Sequence, residues 1–439
     1  MKLEKYKQYL RNSQWSGVIS LGLGAIIGQS VNLLIQPILT RLITPEELGV
    51  YTFIISMANL IIPVASLKLY ILIVIDSNDE NADVLTDVSI ATVFIISILY
   101  TLFIAIILTI RNNAFNQIGW LAFVIPLIVV TNGMRFVFIS YNNRYKKYSL
   151  ISSVEVLREF FKGFLQVTSG FLGGGAFGQS LGYALSPILG FNVLTKVYIA
   201  RLKSRKRITL DLLFQNYKNH KKHIFYLVPA QFINSLSYAL IMISIISLFS
   251  TTEAGYYSVS VRVLGLPLVF ISNNVSRVYL QKLGEDFRMG NSVWKNYLSV
   301  IKVLGLISVL GFTVLAIIAP SVSEVIFGRG YEEAGKYITI LCFMYALRFI
   351  ASSIISGYVV FNKQKMDVFF QTLLVLSGIA THLISSKFGL SIYGYLTLIS
   401  ITYGSIYLAI IINIGFVCRK LNKFYQEDSI NSEQIKLLT

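Results

Sequence analysis

The chain has 439 residues, of which 55% are hydrophobic and 13% are charged. Soluble domains carry about a quarter charged residues, so this composition excludes an ordinary soluble enzyme or binding domain. In a soluble protein, the formal net charge of +17 would indicate a nucleic-acid partner. In a membrane protein, the positive-inside bias and anionic lipid headgroups account for such a charge. We therefore expect anionic membrane lipids, and no nucleic acid, as partners.

Apolar runs of about twenty residues recur from one end of the chain to the other, and each is long enough to cross about 30 Å of hydrocarbon as a helix. We therefore predict an all-α integral membrane protein with about twelve transmembrane helices. The predicted spans are 15–40, 48–75, 84–110, 119–141, 149–172, 176–199, 224–249, 254–280, 297–322, 336–361, 367–387 and 391–418.

A basic connector, 201–223 (RLKSRKRITLDLLFQNYKNHKKH), separates two groups of six spans. We predict an N-terminal bundle over 1–200, a C-terminal bundle over 224–418 and a tail over 419–439. Short basic loops stay in the cytoplasm during insertion. Because Lys and Arg concentrate on the connector's side, we expect both termini to be cytoplasmic. The acidic segment 76–87 lies on the same side and is expected to be a solvated loop.

The two halves share a short pattern at the start of the second span of each. The first half reads RLITPEELGVYTF (41–53) and the second reads SLFSTTEAGYYSV (247–259). At a constant offset, the residues that correspond are Glu47, Gly49 and Tyr51 with Glu253, Gly255 and Tyr257. Weak internal symmetry of this kind is typical of transporters, whose substrate cavity lies between the repeats.

Charged residues inside the predicted spans are the most informative feature, because such groups are costly in lipid and usually face a cavity or a partner. At 1.5 Å rise per residue, Lys68 and Arg135 should lie about 10 Å inside the cytoplasmic boundary. The candidate substrate-binding cations are Lys68, Arg135, Arg158, Lys162, Arg262 and Arg348. The deep acids are Glu155 and Glu159, and they are the candidate carboxylates for ion coupling.

Four of these charges lie on the fifth predicted span at spacings i, i+3, i+4 and i+7, which places them on one helical stripe. They are Glu155, Arg158, Glu159 and Lys162. The stripe cannot face lipid. The pattern favours a helix that lines a hydrated interior, and the alternative is a self-neutralised ladder packed against polar neighbours.

Six deep cations against two deep acids make the predicted interior positive, which suits an anionic substrate. The planar donors of Arg suit phosphate in particular. Uncharged polar residues could line the same cavity and bind sugar hydroxyls, or they could bond to a neighbouring helix. These residues are Gln29, Asn32 and Gln36 in the first span and Gln231 and Asn234 in the seventh.

The sequence contains no pattern that indicates catalysis or metal binding. The glycine runs at 20–28 and 170–178 do not follow a strand, as a dinucleotide-binding loop would require, and Gly24 and Gly28 are better interpreted as a small face for helix packing. Cys342 and Cys418 are expected to be buried free thiols. We expect no enzymatic activity, no metal and no cofactor beyond a coupling proton or sodium ion.

Several segments resemble the Wzx-type oligosaccharide-lipid flippases, a polysaccharide-export family in the superfamily that also holds MATE drug exporters and lipid II flippases. The most specific segment is PILTRLITPEELGVYTF (37–53), followed by LKLYILIVI (67–75), where the family often has Leu-Arg-Tyr-Glu. YNNRYKKYSLIS (141–152) and YYSVSVRVLGLPLVF (256–270) are also similar. Lys68 and Tyr70 depart from the family pattern, so the resemblance implies no ion pair there.

The resemblance implies two six-helix bundles around a central cationic cavity. It also implies that the protein moves undecaprenyl-diphosphate-linked oligosaccharide from the inner to the outer leaflet of the bacterial cytoplasmic membrane. The transport would proceed by alternating access of the bundles, driven by a proton or sodium gradient. The translocated oligosaccharide would serve O-antigen, capsule or exopolysaccharide synthesis. Polymerase and chain-length proteins of the same pathway are possible partners.

Three alternatives remain open at this point. A MATE-like exporter of organic cations would need an unpaired acid in its cavity, whereas both deep acids here have basic neighbours. A lipid II flippase would have a cationic cavity as well. A polysaccharide polymerase or ligase would carry a sizeable outer loop, whereas the predicted outer loops have about ten residues or fewer.

Overall fold

The computed structural model describes residues 14–110, 113–202, 210–289 and 291–437, and every regular element among them is helical. The basic N-terminal segment and residues 203–209 of the predicted connector lie outside the described residues. The α-helices are α1 (Gln14–Leu42), α2 (Pro45–Ile61), α3 (Leu69–Ile75), α4 (Asp79–Thr109), α5 (Asn113–Asn116), α6 (Val124–Arg144), α7 (Tyr148–Phe171), α8 (Gly175–Leu185), α9 (Ile188–Leu194), α10 (Lys196–Leu202), α11 (Leu210–Asn219), α12 (Lys221–Leu248), α13 (Thr251–Pro267), α14 (Asn273–Arg288), α15 (Val293–Phe327), α16 (Glu332–Ile354), α17 (Gly357–Val360), α18 (Gln364–Phe388) and α19 (Ile392–Leu437). Ile62–Val64 and Gly119–Phe123 form 3₁₀ turns, and Leu268–Ser272 forms a π-helical turn.

The chain divides into two compact units, Met1–Gly255 and Tyr256–Thr439. The first unit holds α1 to α12 and the first turn of α13. The second unit holds the rest of α13 and the helices that follow it. The predicted bundle limits at the basic connector stay a prediction.

Within the described residues, ten helices are long and apolar enough to cross a membrane, or eleven if the bent pair Gly175–Leu194 and Lys196–Leu202 is one span. Each of the twelve predicted spans coincides with helical structure. The predicted fifth span is α7, whose four central charges set it apart from the apolar helices. The prediction of an all-α, multi-pass membrane protein is confirmed.

The predicted second span is not one helix. α2 ends at Ile61, because Pro63 has no backbone N–H and its ring crowds the preceding turn. The backbone then passes through a left-handed conformation at Leu67 (φ 51°) and Lys68 (φ 61°) before α3 begins. Two consecutive non-glycine residues in this region are unusual, because the Cβ atom is crowded there.

The expectation of a solvated acidic loop at 76–87 was wrong. α4 begins at Asp79, and two of the acids are buried inside the helix. Tyr141 donates a hydrogen bond to Asp83 (2.7 Å), and Tyr198 donates one to Asp87 (2.6 Å). Arg201 also pairs with Asp83 at 3.2 Å. The buried carboxylates therefore keep hydrogen-bonding partners, and they connect α4 with α6 and α10.

The starts of α2 and α13 are capped alike. Thr44 and Glu47 form a reciprocal capping box at α2. At α13, the Glu253 backbone N–H donates to the Ser250 hydroxyl at 3.2 Å. The matching sequence positions therefore have matching structural roles at the helix entrance.

The two helix starts also cross each other reciprocally. A methyl group added at Gly49 would lie 1.8 Å from the carbonyl oxygen of Thr251. One added at Gly255 would lie 1.9 Å from the carbonyl oxygen of Pro45, the position in α2 that matches Thr251. The obstacle is backbone in both cases, so only glycine fits. This contact gives the repeated glycine a packing reason within the first unit.

Candidate functional site

The site is built on the contact between α1 and α7. A methyl group added at Gly24 would lie 2.1 Å from the Ser152 hydroxyl, and one at Gly28 would lie 3.1 Å from Cγ of Glu159. The two helices therefore approach as closely as small residues allow. This confirms the predicted packing face at Gly24 and Gly28.

The charged stripe of α7 is largely buried and internally paired. The carboxylate of Glu159 forms ion pairs with both Arg158 and Lys162. The second acid, Glu155, lies 3.6 Å from Arg158. The side chains of Arg158, Glu159 and Lys162 are at most 10% exposed, whereas that of Glu155 is 27% exposed.

Neighbouring helices extend this stripe into a network. From α6, Nη1 of Arg135 donates to both carboxylate oxygens of Glu155 at 2.7 Å. From α1, the amide oxygen of Asn32 accepts a hydrogen bond from Lys162 at 3.3 Å. Buried charges require such partners, because an isolated charge in a medium of low dielectric is strongly destabilised.

A cavity of about 150 Å³ lies beside the network, between α1 and α7. Its lining combines small residues with polar and charged ones. The lining residues are Gly24, Ala25, Gly28, Gln29, Ser152, Glu155, Arg158 and Glu159. Both interpretations of the stripe therefore hold in part, since the charges are paired with one another and also line a cavity.

Lys68 lies at the break in the second predicted span. Its ammonium donates a hydrogen bond to Oε1 of Gln231 on α12 at 2.8 Å, and it lies 5.7 Å from the centre of the Tyr70 ring. The backbone oxygen of Lys68 is 3.3 Å from Nε2 of His223. Among the described residues, no carboxylate pairs with Lys68.

Two aromatic rings connect Lys68 with the network. The rings of Tyr70 and Phe136 are stacked with centroids 5.9 Å apart, and the guanidinium of Arg135 lies 4.9 Å from the Phe136 ring. Sequence reasoning noticed Tyr70 only as a departure from a family pattern, and it missed Phe136. The signal that could have found Phe136 was its position directly after Arg135.

The remaining predicted residues lie elsewhere. Gln36 is buried on α1, and Asn234 is half-buried on α12. Arg262 on α13 and Arg348 on α16 belong to the second unit, where the Arg348 guanidinium lies 5.3 Å from the Tyr345 ring.

The second unit also contains buried tyrosines that sequence reasoning missed. Tyr345 lies on α16, and Tyr395, Tyr403 and Tyr407 lie on α19. The spacing of the α19 tyrosines in multiples of four places them on one face, and this period was the available signal.

The two cysteines and the distribution of potential metal ligands complete the description of the predicted residues. Cys342 and Cys418 are buried and free, as expected. In the part of the chain that the structure describes, no group of three or more His, Cys, Asp or Glu residues could hold a metal ion.

Solved structures with a similar fold include transporters of the MOP superfamily. A lipid II flippase, MurJ, in an inward closed conformation matches with a TM-score of 0.70 at 14% identity, covering 94% of this chain and 92% of that chain. An inward-facing multidrug resistance MATE transporter matches with a TM-score of 0.64 at 15% identity, covering 91% and 99%. A MOP superfamily transporter from Pyrococcus furiosus matches with a TM-score of 0.62 at 16% identity, covering 94% and 98%. These likenesses establish a MATE-like fold.

The family follows from sequence. Residues 38–336 match the model of a family described as polysaccharide biosynthesis protein. The chain therefore belongs to this polysaccharide biosynthesis family, and the resemblance to polysaccharide-export flippases is confirmed. A search of curated proteins found no match.

Proposed function

We propose that the protein is a flippase that moves undecaprenyl-diphosphate-linked oligosaccharide from the inner to the outer leaflet of the bacterial cytoplasmic membrane, for synthesis of a surface polysaccharide. The substrate is translocated by alternating access and is not converted chemically. The observation that carries the proposal is an excess of cations in the membrane interior of a polysaccharide biosynthesis family member.

The charge excess can be counted in the first unit. Four cations, Lys68, Arg135, Arg158 and Lys162, lie along one line of contacts with two carboxylates, Glu155 and Glu159. Such an excess, held away from bulk water, favours a bound anion. A diphosphate fits this charge, and the polyprenyl chain can stay in lipid. In the second unit, Arg262 and Arg348 are proposed to contribute further positive charge.

Position supports loading from the cytoplasmic side. If both termini lie in the cytoplasm, as the charge pattern predicts, α7 begins at the inner boundary, and Glu155 lies seven residues from Tyr148. At 1.5 Å per residue this places Glu155 about 10 Å into the membrane. Lys68 lies seven residues from the end of α3. The pocket and Lys68 would therefore both be reached from the inner leaflet, where the lipid-linked precursor is made.

Glu155 is the better candidate for ion coupling. Both acids are ion-paired, so a proton or sodium ion can bind only if a pair with Arg or Lys opens. Glu159 has two buried basic partners, whereas Glu155 lines the cavity and is the most exposed charge of the stripe. Ion binding at Glu155 would release Arg135 and thereby change the charge offered to the substrate.

A lipid II flippase is the second candidate, because lipid II is also a polyprenyl diphosphate and would meet the same cationic interior. A drug exporter for organic cations is disfavoured, because both acids of the network are already compensated by basic partners.

Deletion of the gene tests the proposal. In sealed vesicles from the deletion strain, the lipid-linked oligosaccharide should accumulate on the cytoplasmic face, protected from an impermeant reagent on the outer face, and surface polysaccharide should be lost. Plasmid-borne wild-type protein should restore both, and lipid II should remain correctly translocated. Normal translocation of the oligosaccharide in a deletion strain without a redundant flippase would refute the proposal. Accumulation of lipid II instead would select the second candidate.

A further inference from the structure

We infer that the first unit binds two parts of the substrate at two chemically different places. The cavity between α1 and α7 takes the first sugar, and Lys68 takes the diphosphate. This inference rests on the proposed function, and it deepens that function by dividing the site.

Each cation at the cavity already has a carboxylate partner. The acids Glu155 and Glu159 are paired with Arg135, Arg158 and Lys162 at the wall of the cavity or directly behind it. An anion entering this cavity would have to compete with two carboxylates for the same donors. A neutral group with both donors and acceptors has no such penalty.

The polar lining matches sugar hydroxyls. Glu155 and Glu159 accept hydrogen bonds, Arg158 donates, and the Gln29 amide and Ser152 hydroxyl can do both. A hydroxyl also donates and accepts, so it can bridge adjacent members of this set. The 150 Å³ cavity holds several water-sized groups, which is room for one sugar ring but not for an oligosaccharide.

Lys68 offers the complementary chemistry. Its ammonium has three N–H donors, and its contacts are the neutral Gln231 oxygen and the Tyr70 ring. A phosphate oxygen would gain a charge-assisted hydrogen bond from it without displacing a carboxylate. The left-handed backbone at Leu67 and Lys68 is also costly, and such strain concentrates at functional sites.

The aromatic pair connects the two proposed places. Lys68 lies near the Tyr70 ring, Tyr70 stacks on Phe136, and Phe136 contacts Arg135, so the two rings connect the lysine without a carboxylate partner to the charge-paired cavity. In a lipid-linked oligosaccharide the first sugar is bonded directly to the diphosphate. The diphosphate would therefore lie at the break between α2 and α3, and the first sugar would point toward α1 and α7.

Two substitutions separate these roles. Lys68→Gln removes the proposed phosphate contact. Ala25→Leu fills the cavity without changing any charge. Because Ala25 is exposed on α1, the larger side chain should not disturb folding. Lys68→Arg keeps the charge. Lys387→Gln is the matched control, because that lysine also lies near an aromatic ring but stands at the far end of α18.

The full-length protein in nanodiscs would be titrated with two lipids, undecaprenyl diphosphate and the lipid-linked oligosaccharide of the host. Lys68→Gln should weaken binding of both lipids by about tenfold, the loss expected for one charge-assisted hydrogen bond. Ala25→Leu should weaken only the oligosaccharide form. Lys68→Arg and Lys387→Gln should bind as the wild type does, and size-exclusion profiles should be unchanged throughout.

The outcomes distinguish failure of the two-place inference from failure of the proposed flippase function. Equal weakening of both lipids by Ala25→Leu would overturn the sugar assignment, and loss of only the oligosaccharide form in Lys68→Gln would overturn the diphosphate assignment. In either case the wild type still binds, and the proposed function stands. If the wild type binds neither lipid, the proposed function fails and the inference fails with it.

Discussion

The helices α2 and α13 begin alike and continue differently. Both start with a side-chain cap. In each helix a glycine packs against a backbone carbonyl in the first turn of the other helix: Gly49 against Thr251, and Gly255 against Pro45. These features occupy matching positions in the two halves of the sequence. The shared start is therefore a packing constraint, because neither glycine can change unless the two helices move apart.

The continuation shows where the halves have diverged. After Pro267, α13 passes through the π-helical turn Leu268–Ser272 and continues directly into α14. By contrast, α2 ends at Ile61, before Pro63, and the chain then turns through Leu67 and Lys68 in a left-handed conformation. A π-helical turn absorbs an interruption without ending the helix, whereas the break in the first half exposes a lysine with neutral partners. The repeat thus preserves the helix contact, and the divergence creates the proposed phosphate site.

The largest predicted effect concerns the reciprocal crossing. Gly49→Ala and Gly255→Ala should each destabilise the protein by about 1–3 kcal/mol, because the added methyl meets a backbone carbonyl that cannot rotate away. Thermal unfolding in detergent would measure the loss.

Gly265→Ala is the matched control for this crossing. Gly265 lies on the same helix as Gly255, and a methyl group added there would meet no atom within 4 Å. Its unfolding temperature should stay the same or rise, because Ala favours a helix interior by about 1 kcal/mol. Equal behaviour of all three variants would show that the crossing does not constrain the fold.

The next effect concerns the two caps. Thr44→Ala and Ser250→Ala should each cost about 1 kcal/mol, because each removes the hydroxyl that accepts the backbone N–H of a glutamate three residues later. Thr44→Ser and Ser250→Thr keep the hydroxyl and should be nearly neutral. A cost at Thr44 alone, measured by the same unfolding assay, would break the structural equivalence of the two entrances.

The smallest effect concerns the break itself. Leu67→Gly should change stability by less than about 1 kcal/mol, because release of the left-handed strain offsets the lost burial of a half-exposed side chain. Leu72→Gly, at a half-exposed position inside α3, has no strain to release and should cost clearly more. Equal costs would mean that the backbone at Leu67 is not strained.

Much of the fold could be predicted from the sequence, because long apolar runs and the spacing of charges are local properties. The stripe from Glu155 to Lys162 is an example, since a period of 3.6 residues places these groups together whatever surrounds them. The packing role of Gly24 and Gly28 was predictable for the same reason.

Features that depend on other helices could not be predicted in this way. Asp83 and Asp87 appeared to be solvated, because the tyrosines that bury them lie on α6 and α10, far along the chain. Phe136 looked like an ordinary apolar residue until the break after α2 brought Tyr70 against it. The break itself depends on how the chain continues after Pro63, and Pro267 shows that a proline alone does not end the helix.

The most direct test of the account is reconstitution of the purified protein in liposomes with a lipid-linked oligosaccharide whose terminal sugar can be oxidised by an impermeant reagent. The lipid would be introduced into the outer leaflet, and its protection from the reagent would be followed over time. The account predicts that the protein makes about half of the lipid inaccessible on equilibration between leaflets, and that protein-free liposomes leave it fully accessible. Full accessibility in the presence of folded protein, with or without an imposed proton or sodium gradient, would contradict the account.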